Sequence, residues 1–322
     1  MPKTTECNFD ASGNRTWVYQ SHPSKTTLAK YAEFQNQFRK KLPTYDSKSL
    51  DTKLNAETLS TIDKQHLERV IPKVENVVVN KISKKRDHST RGRGCQMIKF
   101  GTNVDLADRS KFKKQLNELK KLPAFLRFED SSNMLSYLGY DLVGMNTVQF
   151  YMKVNGVRTP GHLENNCLAS VNVNIGPDDC EWFGVDYEYL SAINKMLLKR
   201  HIDFLTGSWW PDYNELLKAG IPVYRFIQKK GDIVWVGNGC IHWVQSNGFC
   251  NNVAWNVGPL NPRQYELIIL SYEWNRTQKY MSLLPVQHLS WQLAQHVKIR
   301  DKTLYSMIRK VLIRSLAYCK IV

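Results

Sequence analysis

Ser170-Val171-Asn172-Val173-Asn174-Ile175 alternates apolar and polar side chains at every step. Val171, Val173 and Ile175 therefore share one face of an extended chain, and Ser170, Asn172 and Asn174 share the other. The segment Thr147–Val154 repeats the pattern, with Val148, Phe150 and Met152 opposite Gln149, Tyr151 and Lys153. Glu181–Val185, Val223–Ile227, Asp232–Val236, His242–Ser246 and Asn252–Val257 read the same way. Short strands separated by turn residues predict an antiparallel sandwich or barrel, not a parallel α/β sheet. Taken alone, the polar faces fit a sheet with one wetted side.

Outward from this core the period becomes helical. Ser110 is placed to cap a helix carrying Phe112, Leu116 and Leu119 and stopping at Pro123. A second helix begins near Ser131, carries Leu135 and Leu138 and closes on Gly139. Between the third and fourth strands an insert presents Leu190, Ile193 and Leu197 on one side, and Asp212–Ala219 ends at Gly220. Beyond Pro259 the chain is helical again. Leu304, Ile308, Val311 and Leu312 form a stripe behind a cap at Asp301. We expect that stripe to be buried against Leu289, Leu293 and Val297, with Trp291 and Leu293 completing a small helical core. The polar N-terminal region offers a helix over Thr26–Lys41, and then a basic run from Lys81 to Arg86 that continues through Arg91-Gly92-Arg93-Gly94. Such a run reads equally as an import signal, a DNA-contacting arm or a solvated loop. The expected organisation is a basic, partly helical flank over 1–94, a strand-rich domain with its preceding helices over 95–260, and a helical region over 261–322.

Composition narrows the class. The 322 residues are 42% hydrophobic and 11% aromatic, which suits a globular core, and the net charge of +16 favours polyanionic partners. Seven cysteines with no C-x-x-C pair argue against a disulfide framework or a zinc finger, so no zinc site is expected. The first residues lack a signal-peptide core, and no apolar stretch is long enough to span a bilayer. An intracellular, reduced, soluble protein without membrane attachment is the expectation.

Gly161-His162-Leu163-Glu164 lies between two of the strands, and His242 follows eighty residues after His162. In an extended segment His162 and Glu164 project to the same side. Two imidazoles and one carboxylate make the facial triad of non-haem Fe(II), which leaves positions open for co-substrate and O2. A His and a Glu two apart also occur by chance, so context decides. An oxygenase with a dicarboxylate co-substrate needs a cation, which Lys153 can supply, while Thr159 and Asn172 can complete the hydrogen bonds.

The stretches Asn146–Val154, Arg158–Asn166 and Ser170–Pro177 together resemble the Jumonji-C domain of the UTX-like demethylases, which act on di- and trimethylated lysine twenty-seven of histone H3. The likeness continues through Gly207–Pro211, Pro222–Gln228, His242–Gln245, Asn252–Leu260 and Tyr272–Asn275, and upstream through Ile98–Asn103 and Lys121–Phe125. It implies a mainly β fold with flanking helices, a double-stranded β-helix (jelly roll, cupin-like). It implies iron ligands at His162, Glu164 and His242, 2-oxoglutarate contacts at Lys153, Thr159 and Asn172, and a methyl-lysine pocket lined by Tyr151 and Ser170. The implied protein is a nuclear histone lysine demethylase using Fe(II), 2-oxoglutarate and O2, with the H3 tail and nucleosome as partners and DNA near its basic surface. Hydroxylation of an N-methyl group would release formaldehyde, with succinate and CO2 as the co-products. The same residues would also serve a 2-oxoglutarate-dependent hydroxylase of a non-histone protein, or a weakly catalytic chromatin scaffold. Family members carry a zinc module with four cysteine ligands after the helical linker, and the cysteine pairs it needs are missing here.

Overall fold

Two antiparallel sheets lie face to face, each built from strands whose inward and outward side chains differ in kind. The computed structural model describes residues 2–9, 15–21, 28–41, 97–205 and 209–321, and the basic run at 81–94 falls outside them. They form two compact units, Pro2–Lys99 and Phe100–Val322.

The first unit contains a hairpin of β1 (Pro2–Phe9) and β2 (Arg15–Ser21), paired from Lys3↔Ser21 to Phe9↔Arg15, and a helix α1 (Leu28–Lys41). The helix agrees with the periodic stretch. The hairpin was not expected, because Lys3-Thr4-Thr5-Glu6-Cys7-Asn8 shows no apolar face to betray a strand.

In the second unit the larger sheet runs in the order β3 (Met97–Asp105), β4 (Gln149–Met152), β11 (Cys250–Val257), β6 (Ala169–Pro177), β9 (Ile233–Val236). The smaller sheet runs β5 (Arg158–His162), β10 (Ile241–Ser246), β7 (Cys180–Val185), β8 (Tyr224–Gln228). All pairings between these strands are antiparallel. The fold is the expected jelly roll.

Alternation assigns each face a task. On the larger sheet Val148, Val171, Trp255 and Val257 turn outward beneath Leu116 of α2 (Lys113–Leu119) and Leu126 and Phe128 beyond it. On the smaller sheet Phe183, Ile241 and Trp243 turn outward beneath α3 (Leu190–Leu198) and α4 (Tyr213–Lys218), meeting Ile193, Leu197 and Leu216. Trp182, Val234, Val236, Val244 and Cys250 form a third apolar cluster. The polar faces of β4 and β6 are not wetted: Gln149, Ser170, Asn172 and Asn174 are all buried.

Local chemistry sets the helix ends. Asp212 caps α4 by accepting from the Glu215 amide at 2.9 Å, and Gly220 adopts the left-handed φ of +73° that closes the turn. The helix after Ser110 starts otherwise than expected. Asp108, not Ser110, holds the turn, accepting from the amides of Ser110 and Lys111 and from the Ser110 hydroxyl. The helix expected from Ser131 is a single tight turn, Met134–Tyr137, capped by Asn133.

C-terminal to the sheets come α5 (Pro262–Thr277), α6 (Val286–His296) and α7 (Lys302–Ile321). Tyr265, Ile268, Leu289, Leu293, Leu304 and Ile308 interlock there, with Val311 and Leu312 partly buried against them. Asp301 caps α7 through the Leu304 amide at 2.9 Å. The terminal stripe is therefore covered as expected. Trp291 is not in that core: it is 40% exposed, with its indole N–H on the Ser315 hydroxyl.

Candidate metal centre

β5 and β10 pair so that His162 and His242 stand directly opposite one another. Glu164 lies two residues past His162 on the segment leaving β5. Donor atoms of His162, Glu164 and His242 all come within 4.8 Å of one another, the one such group among the described residues. The imidazole centroids are 4.2 Å apart, and His242 Nε2 is 3.6 Å from Glu164 Oε1.

Each imidazole has its tautomer set by a backbone carbonyl. His162 Nδ1 is 2.8 Å from the Pro160 oxygen and His242 Nδ1 is 3.1 Å from the Cys240 oxygen. A carbonyl only accepts, so each Nδ1 carries a hydrogen, which is the tautomer whose neutral form offers the Nε2 lone pair. Metal-binding imidazoles are commonly oriented in this way. Burial, reinforced by the neighbouring His162, pushes His242 down to about 4, so it stays neutral at physiological pH. Burial alone would raise the Glu164 carboxyl. The two imidazoles and hydrogen bonds from Asn256 and Ser170 outweigh it and hold Glu164 below the usual carboxylate range. The Asn256 amide donates to Glu164 Oε2 at 3.0 Å. Two neutral nitrogens and one carboxylate suit a ferrous ion and leave part of its shell to other ligands.

The strand bearing His162 is pinned from behind. The Gly161 amide donates to the Trp209 carbonyl at 2.7 Å, and a Cβ at Gly161 would sit 2.7 Å from the Trp209 ring. Only glycine permits that approach.

The candidate co-substrate residues stand on both walls. Lys153, directly after β4, is buried, its ammonium 5.9 Å from the centroid of the Tyr151 ring. Asn172 lies on β6, paired with Ala254, while Thr159 comes from β5 of the smaller sheet. Of the residues expected at the substrate pocket, Ser170 is buried on β6, and its hydroxyl helps to lower the Glu164 carboxyl. The Tyr151 phenol is pushed up by burial first and by the Glu164 charge second, so it remains protonated.

Several contributors were not singled out from the sequence. Asn256 reaches Glu164 from β11, where the spacing Asn252, Ala254, Asn256 was the one available signal. Trp182 stacks over His242, with centroids 5.9 Å apart and planes 13° from parallel. Gln228, the last residue of β8, is wholly buried although the four residues before it are exposed.

The profile of the "JmjC domain, hydroxylase" matches residues 149–257, which hold every one of these side chains. That of the "Lysine-specific demethylase 6/UTY, C-terminal helical domain" matches residues 264–319, the region of α5 to α7. The chain is 44% identical to Lysine-specific demethylase 6B of Homo sapiens over 316 residues, 98% of this chain and 18% of that protein. It is 37% identical to Lysine-specific demethylase jmjd-3.1 of Caenorhabditis elegans over 321 residues, 99% of this chain and 29% of that protein. A weaker likeness, 29% over 141 residues, joins it to C-module-binding factor A of Dictyostelium discoideum. The chain thus spans less than a third of the length of these relatives. With a jelly roll and a following helical region that both find their counterparts there, the chain belongs to the Jumonji-C family, in its lysine-specific demethylase 6 branch.

Proposed function

We propose that this chain is the catalytic part of an Fe(II)- and 2-oxoglutarate-dependent histone lysine demethylase that removes methyl groups from di- or trimethylated lysine on the H3 tail. The observation that carries the reading is the convergence of His162, Glu164 and His242 with both imidazole tautomers preset. The names of the two most extensive relatives support the choice of methyl-lysine as substrate.

In this reading His162, Glu164 and His242 hold the iron. Lys153 pairs with the distal carboxylate of 2-oxoglutarate, and Thr159 and Asn172 donate hydrogen bonds to it. When bound there, iron and 2-oxoglutarate would supply the oxidising power to hydroxylate a methyl C–H bond with one oxygen of O2, the other oxygen going into succinate as CO2 leaves. The resulting N–CH2OH group loses formaldehyde, and the nitrogen keeps a hydrogen in place of the methyl. Tyr151, held as a neutral phenol, and Ser170 line the approach of the methylated nitrogen. Asn256, by holding Glu164 Oε2, would leave the other carboxylate oxygen to the metal. The buried inner faces keep water from the reacting atoms.

Residues 95–260 form the catalytic domain in this reading, with 1–94 a flank and 261–322 a helical brace. A histone substrate makes the nucleus the expected compartment, and the net charge of +16 supports approach to nucleosomal DNA. Formaldehyde release on a panel of methylated histone peptides tests the reading. Release from methylated H3 peptides supports it. A stable hydroxylated product on another protein, with no formaldehyde, would replace it with a hydroxylase.

A further inference from the structure

A polar chain of contacts runs through the space between the sheets, and its direction is fixed at one end. The Trp182 indole can only donate, and its Nε1 meets Gln228 Oε1 at 2.8 Å. The Gln228 amide is thereby oriented with Nε2 on the other side. There Nε2 donates to two backbone carbonyls, Asn172 O at 3.0 Å and Asp232 O at 3.2 Å. Carbonyls only accept, so both ends of Gln228 agree on a single orientation. The same Nε2 lies 3.3 Å from Asn172 Oδ1, and Asn252 Nδ2 donates to that oxygen at 2.9 Å. Asn252 Nδ2 also reaches Gln228 Oε1 at 3.3 Å. Two donors thus draw the oxygen of the Asn172 side chain into the network, and its NH2 is the end turned away from them.

We propose that Gln228 is a positioning residue for co-substrate binding: it sets which end of the Asn172 amide is offered, so that Asn172 presents a donor and not an acceptor to a carboxylate. The proposal rests on the reading of Asn172 as a 2-oxoglutarate contact. Gln228 touches neither co-substrate nor metal in this scheme. The burial pattern favours such a role over simple packing. Tyr224, Arg225, Phe226 and Ile227 are exposed, and Gln228 is the one buried residue of β8, at a place where an unsatisfied polar group would be costly.

The test uses the whole chain loaded with Mn(II) and titrated calorimetrically with N-oxalylglycine, an unreactive 2-oxoglutarate analogue. Gln228→Met keeps the length of the side chain and removes its donors and acceptor. We expect it to weaken analogue binding by about tenfold and to raise KM for 2-oxoglutarate similarly, as loss of a hydrogen bond to a charged group does. Mn(II) affinity without analogue and kcat should stay within about twofold. In an Asn172→Ala background, Gln228→Met should add almost nothing, since it acts through Asn172. Weakened binding in Asn172→Ala with unchanged binding in Gln228→Met overturns the proposal and leaves the Asn172 reading intact. Unchanged binding in Asn172→Ala instead removes that reading. Loss of Mn(II) affinity in Gln228→Met would show a general structural role and also overturns the proposal. If Gln228→Met does not fold, side-chain amide NMR of the native protein with Zn(II) decides. The Gln228 NH2 should be protected from exchange and unmoved by analogue, while the Asn172 NH2 shifts. A rapidly exchanging Gln228 NH2 sinks the proposal, and a fixed Asn172 NH2 sinks the reading beneath it.

Discussion

The space between the two sheets and the bundle of α5, α6 and α7 are both well buried, yet they are filled with opposite materials. Between the sheets lie Lys153, Asn172, Asn174, Gln228, His242, Asn252 and Asn256 beside a modest apolar cluster. The packed cluster of the bundle is mainly Leu, Ile and Val with Tyr265, whose hydroxyl meets Ser290 at 2.6 Å, although α5 also buries Gln264, Ser271 and Asn275. Apolar packing is tolerant of direction, because neighbouring side chains can shift and still bury their surface. A polar interior is intolerant, because each donor must meet an acceptor or leave an expensive orphan. The bundle therefore supplies stability, and the inter-sheet space spends part of it on orientation.

Substitutions can break this contrast, and the largest effect belongs to the ligands. His162→Ala removes a nitrogen donor that no described neighbour can replace. Metal-dependent turnover of 2-oxoglutarate should fall to background, while circular dichroism keeps the native spectrum. Retained turnover would refute the assignment of the metal. In the bundle, Leu289→Ala, at a fully buried position, should lower unfolding free energy by about 2–5 kcal/mol in a denaturant titration. Metal affinity of the molecules that remain folded should hardly change. A parallel loss of both would mean that the two regions are not separable.

Asn256→Ala tests orientation alone. Its loss should reduce metal affinity by about 10–100-fold, as for other groups that hold a ligand in place, with little loss of stability. A drop in thermal midpoint without a change in affinity would assign Asn256 to packing. Smallest of the four, Lys153→Ala should raise KM for 2-oxoglutarate by about tenfold or more, since a charge-assisted contact contributes about 1.5–3 kcal/mol. Metal binding in the absence of co-substrate is the control, and an unchanged KM would remove Lys153 from the co-substrate site.

How much of this could be read beforehand differs along the same line. Alternation in Ser170–Ile175 and the stripe of Leu304, Ile308, Val311 and Leu312 foretold strand, helix and partner faces, because apolar periodicity reports burial directly. The spacing of His162 and Glu164 foretold a shared side of the chain. Which side of the sheet faced water was not legible. Alternation says that Gln149 and Lys153 share a face, but not that a second sheet covers it. β5 escaped as a strand because Pro160 and Gly161 carry no strand preference, and its pairing with β10 decides the matter. Gln228 escaped for a stronger reason. Its partners Trp182, Asn172 and Asn252 are remote in sequence, and a lone glutamine closing an otherwise exposed strand looks like a surface residue. The cap expected at Ser110 is not made: α2 begins at Lys113 without a side-chain cap, and Asp108 holds the preceding turn because a carboxylate is a stronger acceptor than a hydroxyl.

The pairing of His162 with His242 has a consequence for the order of events in folding. The two residues are neighbours in register although eighty positions separate them in the chain. Contacts of such separation carry a large loop-closure entropy and form only as the surrounding topology is established. A metal ion consequently finds no competent site in a partly folded chain, and it cannot act as a template for the early steps. Its binding energy accrues to the finished structure alone, growing with metal concentration relative to Kd. The ion should therefore leave the refolding rate nearly unchanged and slow unfolding, acting as a latch on the closed jelly roll and not as a nucleus for it.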